Sequence, residues 1–187
     1  MRRWGPLAVA LGLLVHVGLG LLIRDHGILG IDRTAFDVVS PLRSADGVDV
    51  VRVLTDIGYF PAACTATVLG VLLAIHNRRA QDAIALVAGL FLLLVLVRLT
   101  KDLWDRPRPD LLLAPVGGLS YPSGHAAYST AWVGAAVVSG RRPLIVAALV
   151  VVAAVMVSRL YLGVHYLTDV LGGAALGAVV YGTVLRR

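Results

Sequence analysis

Three short stretches concentrate side chains able to do chemistry: Lys101-Asp-Leu-Trp-Asp-Arg-Pro-Arg108-Pro109, Pro122-Ser123-Gly124-His125, and Ser158-Arg159-Leu-Tyr-Leu-Gly-Val-His165-Tyr-Leu-Thr-Asp169. Lys101, Arg108 and Arg159 form a cationic group in a chain that contains no glutamate. Such a group suits an anion carrying several oxygens, which arginine grips as a planar fork and lysine as a point charge. Ser123-Gly124, at the start of an apolar segment, adds backbone N–H groups and the positive end of a helix dipole. His165 and Asp169 stand four residues apart, so on a helix face the carboxylate accepts from one ring nitrogen and frees the other as a nucleophile. His125, from a different segment, can protonate a leaving alkoxide. Cation cage, oriented nucleophile and general acid together describe phosphoryl transfer through a phosphohistidine.

These residues need a scaffold, and the composition says which kind. Of 187 residues 58% are apolar and only 15% charged, with a mean hydropathy of +0.85. Soluble domains carry about a quarter charged residues, so a water-soluble globule is excluded. One cysteine, Cys64, excludes a disulfide scaffold. Charge-free apolar runs cover 7–23, 57–75, 83–97, 126–140, 143–158 and 170–185. They lack the polar stripe of a soluble helix, and those below the roughly 20 residues of a span reach it by continuing into their polar flanks. The reading is an all-α bundle of six transmembrane helices. The first could be a signal peptide after Arg2 and Arg3, but no small-x-small cleavage motif follows Ile23, so it counts as a span with Trp4 as its interfacial anchor. Ile31, Ala35, Val38 and Leu42, bounded by Pro41, recur at helical spacing and predict a short interfacial helix between spans 1 and 2.

The net charge of +6 would first suggest nucleic acid, but its distribution argues otherwise. Arginine pairs at Arg2–Arg3, Arg78–Arg79, Arg141–Arg142 and Arg186–Arg187 all fall on one side of a six-span chain. By the positive-inside rule that side, with both termini, is cytoplasmic. The three reactive stretches then sit together at the opposite, extracytoplasmic ends of the helices.

The three stretches resemble the signature of the type 2 phosphatidic acid phosphatase family, the lipid phosphate phosphatases: K-x6-R-P, P-S-G-H, then S-R-x5-H-x3-D. Lys101, Arg108 and Pro109, then Pro122 to His125, then Ser158, Arg159, His165 and Asp169 meet it at every position. The motif core spans 101–169, and the six-span frame makes 1–187 one membrane phosphatase domain. The resemblance implies an enzyme without metal or cofactor. In it His165 attacks phosphorus, Asp169 supports His165, and His125 protonates the leaving group and later activates water. Lys101, Arg108, Ser123, Gly124 and Arg159 hold the phosphate. The implied partner is a lipid phosphate, with undecaprenyl diphosphate favoured over phosphatidylglycerophosphate and phosphatidic acid. Transfer to another lipid and a non-catalytic lipid flippase are the alternatives, the latter having no use for two histidines and an aspartate.

Other residues receive plainer readings. Arg106 is expected to meet lipid headgroups and Arg98 to snorkel, or to help hold a diphosphate. His16 is expected to make an interhelical hydrogen bond. Asp102, Asp105 and Asp110 read as solvated loop acids. Gly173 and Gly177 have small-xxx-small spacing, which serves packing inside the bundle or a homodimer. Pro61 is expected to kink span 2.

Overall fold

The computed structural model describes residues 5–185. Each apolar run becomes a helix: α1 Gly5–His26, α4 Phe60–His76, α5 Ala80–Trp104, α6 Gly124–Ser139, α7 Arg142–Tyr161 and α8 Leu167–Val184. Two further helices lie between α1 and α4, namely α2 Gly30–Val39 and α3 Ala45–Leu54, and among the described residues there is no strand. Helix α2, continued by a 3-10 turn at Ser40–Leu42, falls where the short helix between spans 1 and 2 is expected. Helix α3 is additional. Ser44 caps it by accepting from the Gly47 N–H, Asp46 opens it and Arg52 closes it, each with the sign the helix dipole favours.

Among the described residues, four helices are long and apolar enough to cross a membrane alone: Pro6–His26, Ala80–Trp104, Arg142–Tyr161 and Leu167–Val184. A fifth crossing is available from Ala45–Gly58 and Phe60–His76 together, bent by 43°. That bend lies before Pro61, which sits in the first turn of α4 where its missing N–H costs nothing, so it starts the helix instead of kinking it. Helix α6 has 16 residues, about 24 Å at 1.5 Å per residue, less than the roughly 30 Å hydrocarbon thickness. It is short because the chain before it, from Ser120 to Ser123, is already buried.

Helix α6 is the hub, packed by α4, α5, α7 and α8, while α1 lies along α8. Small residues allow the close approach: Ala63, Ala66, Ala126, Ala127 and Ala131 are buried. A Cβ on Gly173 of α8 would strike the Ser123 carbonyl, and one on Gly177 would strike Thr130 of α6. The small-residue stripe therefore serves packing within this chain. Outside, Leu14, Phe91, Val146 and Val150 are exposed, as lipid-facing side chains must be.

Arg78–Arg79 occupies the α4–α5 turn and Arg141–Arg142 the α6–α7 turn. Arg79 donates to the Val138 carbonyl at 3.2 Å, tying the two turns together at one end of the bundle. The ends of α5 and α7, and the starts of α6 and α8, lie at the other. Arg2, Arg3, Trp4, Arg186 and Arg187 fall outside the described residues.

Candidate active site

The site is built where α5 ends, α6 and α8 begin, and residues 105–123 fold back across the bundle. That loop is laced down by backbone bonds: Leu113 N–H to the Leu162 carbonyl at 3.0 Å, Ser120 N–H to Arg106 at 2.8 Å, and Ser123 N–H to Asp169 at 2.9 Å. Between α7 and α8, Gly163 takes a positive φ of 65°, and a Cβ there would meet the Leu111 carbonyl. A glycine is needed for this turn, which presents His165 two residues later.

His165 is 2% exposed and Asp169 fully buried. The imidazole Nδ1 stands 3.4 Å from Asp169 Oδ2 and 3.3 Å from Ser120 Oγ. Ser120 commits its proton to Asp169 at 2.5 Å, leaving Oγ to accept from Nδ1. On the other side of the ring, Arg108 Nη1 lies 3.1 Å from Nε2. A guanidinium only donates, so Nε2 carries the lone pair and Nδ1 the proton. Burial pushes the His165 imidazole down to about 4, against the opposing pull of Asp169. The ring is therefore neutral at physiological pH, with its free nitrogen facing the cations.

Around it stand the other expected residues. Arg108 also donates to the carbonyls of Gly117, Gly118 and Val164 at 3.0, 3.0 and 2.8 Å. Lys101 donates to Leu119 and, at 3.5 Å, to Ser120. Arg159, 2% exposed, donates from Nη1 to Thr55 Oγ1 at 3.1 Å, and Ser158 Oγ meets the same hydroxyl at 2.8 Å. His125, on the first turn of α6, stacks on Tyr59 with ring centroids 5.5 Å apart. It lies within electrostatic reach of Arg159, His165, Arg108 and Lys101, so the three stretches converge. Among the described residues, buried Ser123 Oγ and Arg159 Nε have no hydrogen-bond partner. These two orphaned groups, one of them on Arg159 itself, together with Lys101, Arg108 and the N-terminus of α6, form an arrangement that an oxyanion completes.

Arg106 departs from expectation. Far from reaching headgroups, it is 3% exposed and bridges Asp32 at 2.7 Å and Asp169 at 2.6 Å. Asp102, Asp105 and Asp110 are exposed, as is Arg98. His16 Nδ1 meets the Gly172 carbonyl on α8 at 3.0 Å, the interhelical bond expected of it. Asp32, Thr55, Ser120 and Thr168 belong to the site's hydrogen-bond network but carry no motif. The available signal was an aspartate on the α2 helix whose apolar residues Ile31 and Val38 point outward.

A sequence model of the PAP2 superfamily matches residues 82–187, more than half of the chain. The chain belongs to the PAP2 superfamily. All three motif stretches lie inside the matched region. Decaprenylphosphoryl-5-phosphoribose phosphatase of Mycobacterium tuberculosis is 39% identical over 108 residues, 55% of this chain and 59% of that protein. Phosphatidylglycerophosphatase B of Bacillus subtilis is 34% identical over 110 residues, 50% of this chain and 54% of that one. Each alignment thus spans little more than half of the relative's length. In fold, this PAP2 chain is similar to a transmembrane PAP2-type phosphatidylglycerolphosphate phosphatase from Bacillus subtilis. That crystal structure has a TM-score of 0.81 at 24% identity and covers 98% of this chain and 95% of its own.

Proposed function

We propose that this membrane protein is a lipid phosphatase acting at the extracytoplasmic face through a phosphohistidine. One observation carries the reading. His165 Nε2 is held unprotonated by Arg108 at 3.1 Å, beside two buried groups, Ser123 Oγ and Arg159 Nε, that lack a partner. An entering phosphate draws Arg108 from the imidazole to its own oxygens, and Lys101, Arg159, Ser123 and the Gly124 N–H receive the rest. Nε2 attacks phosphorus, the bond to the leaving oxygen breaks, and His125, protonated once the phosphate's negative charge offsets the cations around it, gives that oxygen its proton. Asp169 stabilises the charge that His165 acquires. His125 then takes a proton from water, whose oxygen attacks phosphorus and returns His165 to its starting state. The residues present suffice for these steps, and no metal is invoked.

The favoured substrate is a polyprenyl-linked phosphate or diphosphate. The decaprenylphosphoryl name of the 39% identical relative supports the lipid class. Phosphatidylglycerophosphate is the second reading, supported by the name of the 34% identical one. A panel of undecaprenyl diphosphate, a polyprenylphosphoryl sugar phosphate, phosphatidylglycerophosphate and phosphatidic acid, assayed for phosphate release in excess EDTA, separates them. Release from none of the four by folded wild-type protein overturns the proposal.

A further inference from the structure

The buried network behind His165 is more elaborate than a nucleophile and its carboxylate. Asp169 uses Oδ2 for Ser120 Oγ, for the Tyr166 N–H at 2.8 Å and for His165. Its Oδ1 is held by Arg106 Nη1 at 2.6 Å. Arg106 Nη1 also donates to Thr168 Oγ1 at 2.7 Å, while Nη2 donates to Asp32 Oδ2 at 2.7 Å and the Gly27 carbonyl at 3.2 Å. The guanidinium lies over the Tyr166 ring, 4.1 Å from its centroid. Asp32 closes the circuit by accepting from the Thr168 N–H and Oγ1, both at 2.9 Å.

We infer that Arg106, anchored by Asp32 of helix α2, is a positioning residue that fixes the Asp169 carboxylate and limits the negative charge it presents to His165. The inference rests on the phosphohistidine reading above. The fork geometry supports it: Arg106 holds one oxygen of Asp169 and thereby aims the other at Nδ1. Arg106 cannot touch substrate, being walled off by Tyr166, Thr168 and the two carboxylates. Asp32 balances its charge, so helix α2 is bonded through one arginine to the catalytic pair.

A merely structural ion pair would affect how much protein folds. A positioning arginine also affects how His165 titrates. His165 is faced by Asp169 of α8, Arg159 of α7, His125 of α6, and Arg108 and Ser120 of the loop, and Lys101 of α5 lies within electrostatic reach of its neighbours Arg108 and Asp169. Removing Arg106 leaves the full Asp169 charge opposite Nδ1, which favours the imidazolium and moves the acid limb of kcat/KM upward.

The test compares wild type, Arg106→Gln and Asp32→Asn in detergent micelles, with folding checked by size exclusion and melting and activity taken per folded molecule. Arg106→Gln is expected to lower kcat about 100-fold with KM within about threefold, and to raise the acid limb by about half a pH unit or more. Asp32→Asn removes the opposite charge, so it is expected to lower kcat without raising that limb. It carries the test if Arg106→Gln does not fold. Wild-type kcat and an unshifted acid limb in the variants that fold overturn the inference and leave the phosphatase reading intact. A wild-type protein that releases no phosphate overturns the phosphatase reading instead.

Discussion

Arg108 and His165 face each other with Nη1 3.1 Å from Nε2, so the residue that would bind phosphate also guards the nitrogen that would attack it. The same guanidinium is tied to three loop carbonyls, which fixes its plane before any ligand arrives. Replacing it with lysine keeps the charge and loses the fork. Arg108→Lys is expected to lower kcat/KM by about 100-fold, near 2.7 kcal/mol, with most of the loss in KM. Steady-state phosphate release on the preferred lipid measures it, and a variant within about threefold of wild type would show that the fork is idle.

The two histidines are distinguishable by leaving group. His165→Ala removes the attacking atom, so no phosphoenzyme forms and turnover is abolished for every substrate. His125→Ala removes the proton donor of the first step, a contribution of about 10²–10⁴-fold, and the base that activates water in the second. In the first step, read as the single-turnover release of the leaving group, that loss is expected for an alkyl phosphate and largely absent for p-nitrophenyl phosphate, whose leaving group needs no proton. Equal losses on both substrates would remove His125 from the general-acid role.

Burial of His165 also makes stability depend on pH in a defined direction. The imidazole titrates near 6.5 when unfolded and at about 4 in the fold. Its neutral burial therefore favours the folded state fully above pH 6.5, and that contribution falls away as pH drops toward 4. Between pH 7 and pH 5 wild type is expected to lose about 2 kcal/mol more than His165→Asn. Denaturant unfolding in detergent at the two pH values checks this, and parallel losses in both proteins would contradict it.

Much of this was open to a reader of the sequence, and the boundary is physical. The helices follow the apolar runs because a membrane-spanning helix satisfies its own backbone and needs only length and hydrophobicity. The motif stretches were legible because their spacing is local. Arg106, Asp32, Ser120 and Thr168 were not, since an arginine shared between Asp32 and Asp169 is a tertiary fact with no sequence period. Arg106 looked like a surface cation because it stands in a proline-broken loop beside Arg108. Only the folding of that loop into the bundle distinguishes the two, sending one guanidinium toward Nε2 and the other behind Asp169. Helix α3 had ordinary capping signals at Ser44, Asp46 and Arg52, obscured by the apolar run that follows.

Gly173 tests whether the α6–α8 packing sets the site. A methyl there meets the carbonyl of Ser123, the N-cap of α6, as well as Ala126. Gly173→Ala is expected to destabilise by about 1–3 kcal/mol and to reduce turnover, because Ser123 and Gly124 move with the helix start. Gly18→Ala has nothing within 4 Å and serves as the control with unchanged melting and activity. Equal melting temperatures in the two variants would mean that α6 and α8 are not closely locked at this point.

The sidedness that the arginine pairs predict is the most direct expectation to test. The turns carrying Arg78–Arg79 and Arg141–Arg142 are tied to each other through Arg79 and Val138, at the end of the bundle away from His165. With Cys64, the single cysteine, changed to alanine, one new cysteine can report each end. Asn77→Cys lies in the α4–α5 turn and Leu112→Cys in the exposed part of the loop over the site. An impermeant maleimide added to intact cells is expected to label Leu112→Cys and to reach Asn77→Cys only after permeabilisation. The reverse pattern would place the site in the cytoplasm. The positive-inside rule would then be violated by two arginine pairs at once, and the substrate would have to be a lipid phosphate of the inner leaflet.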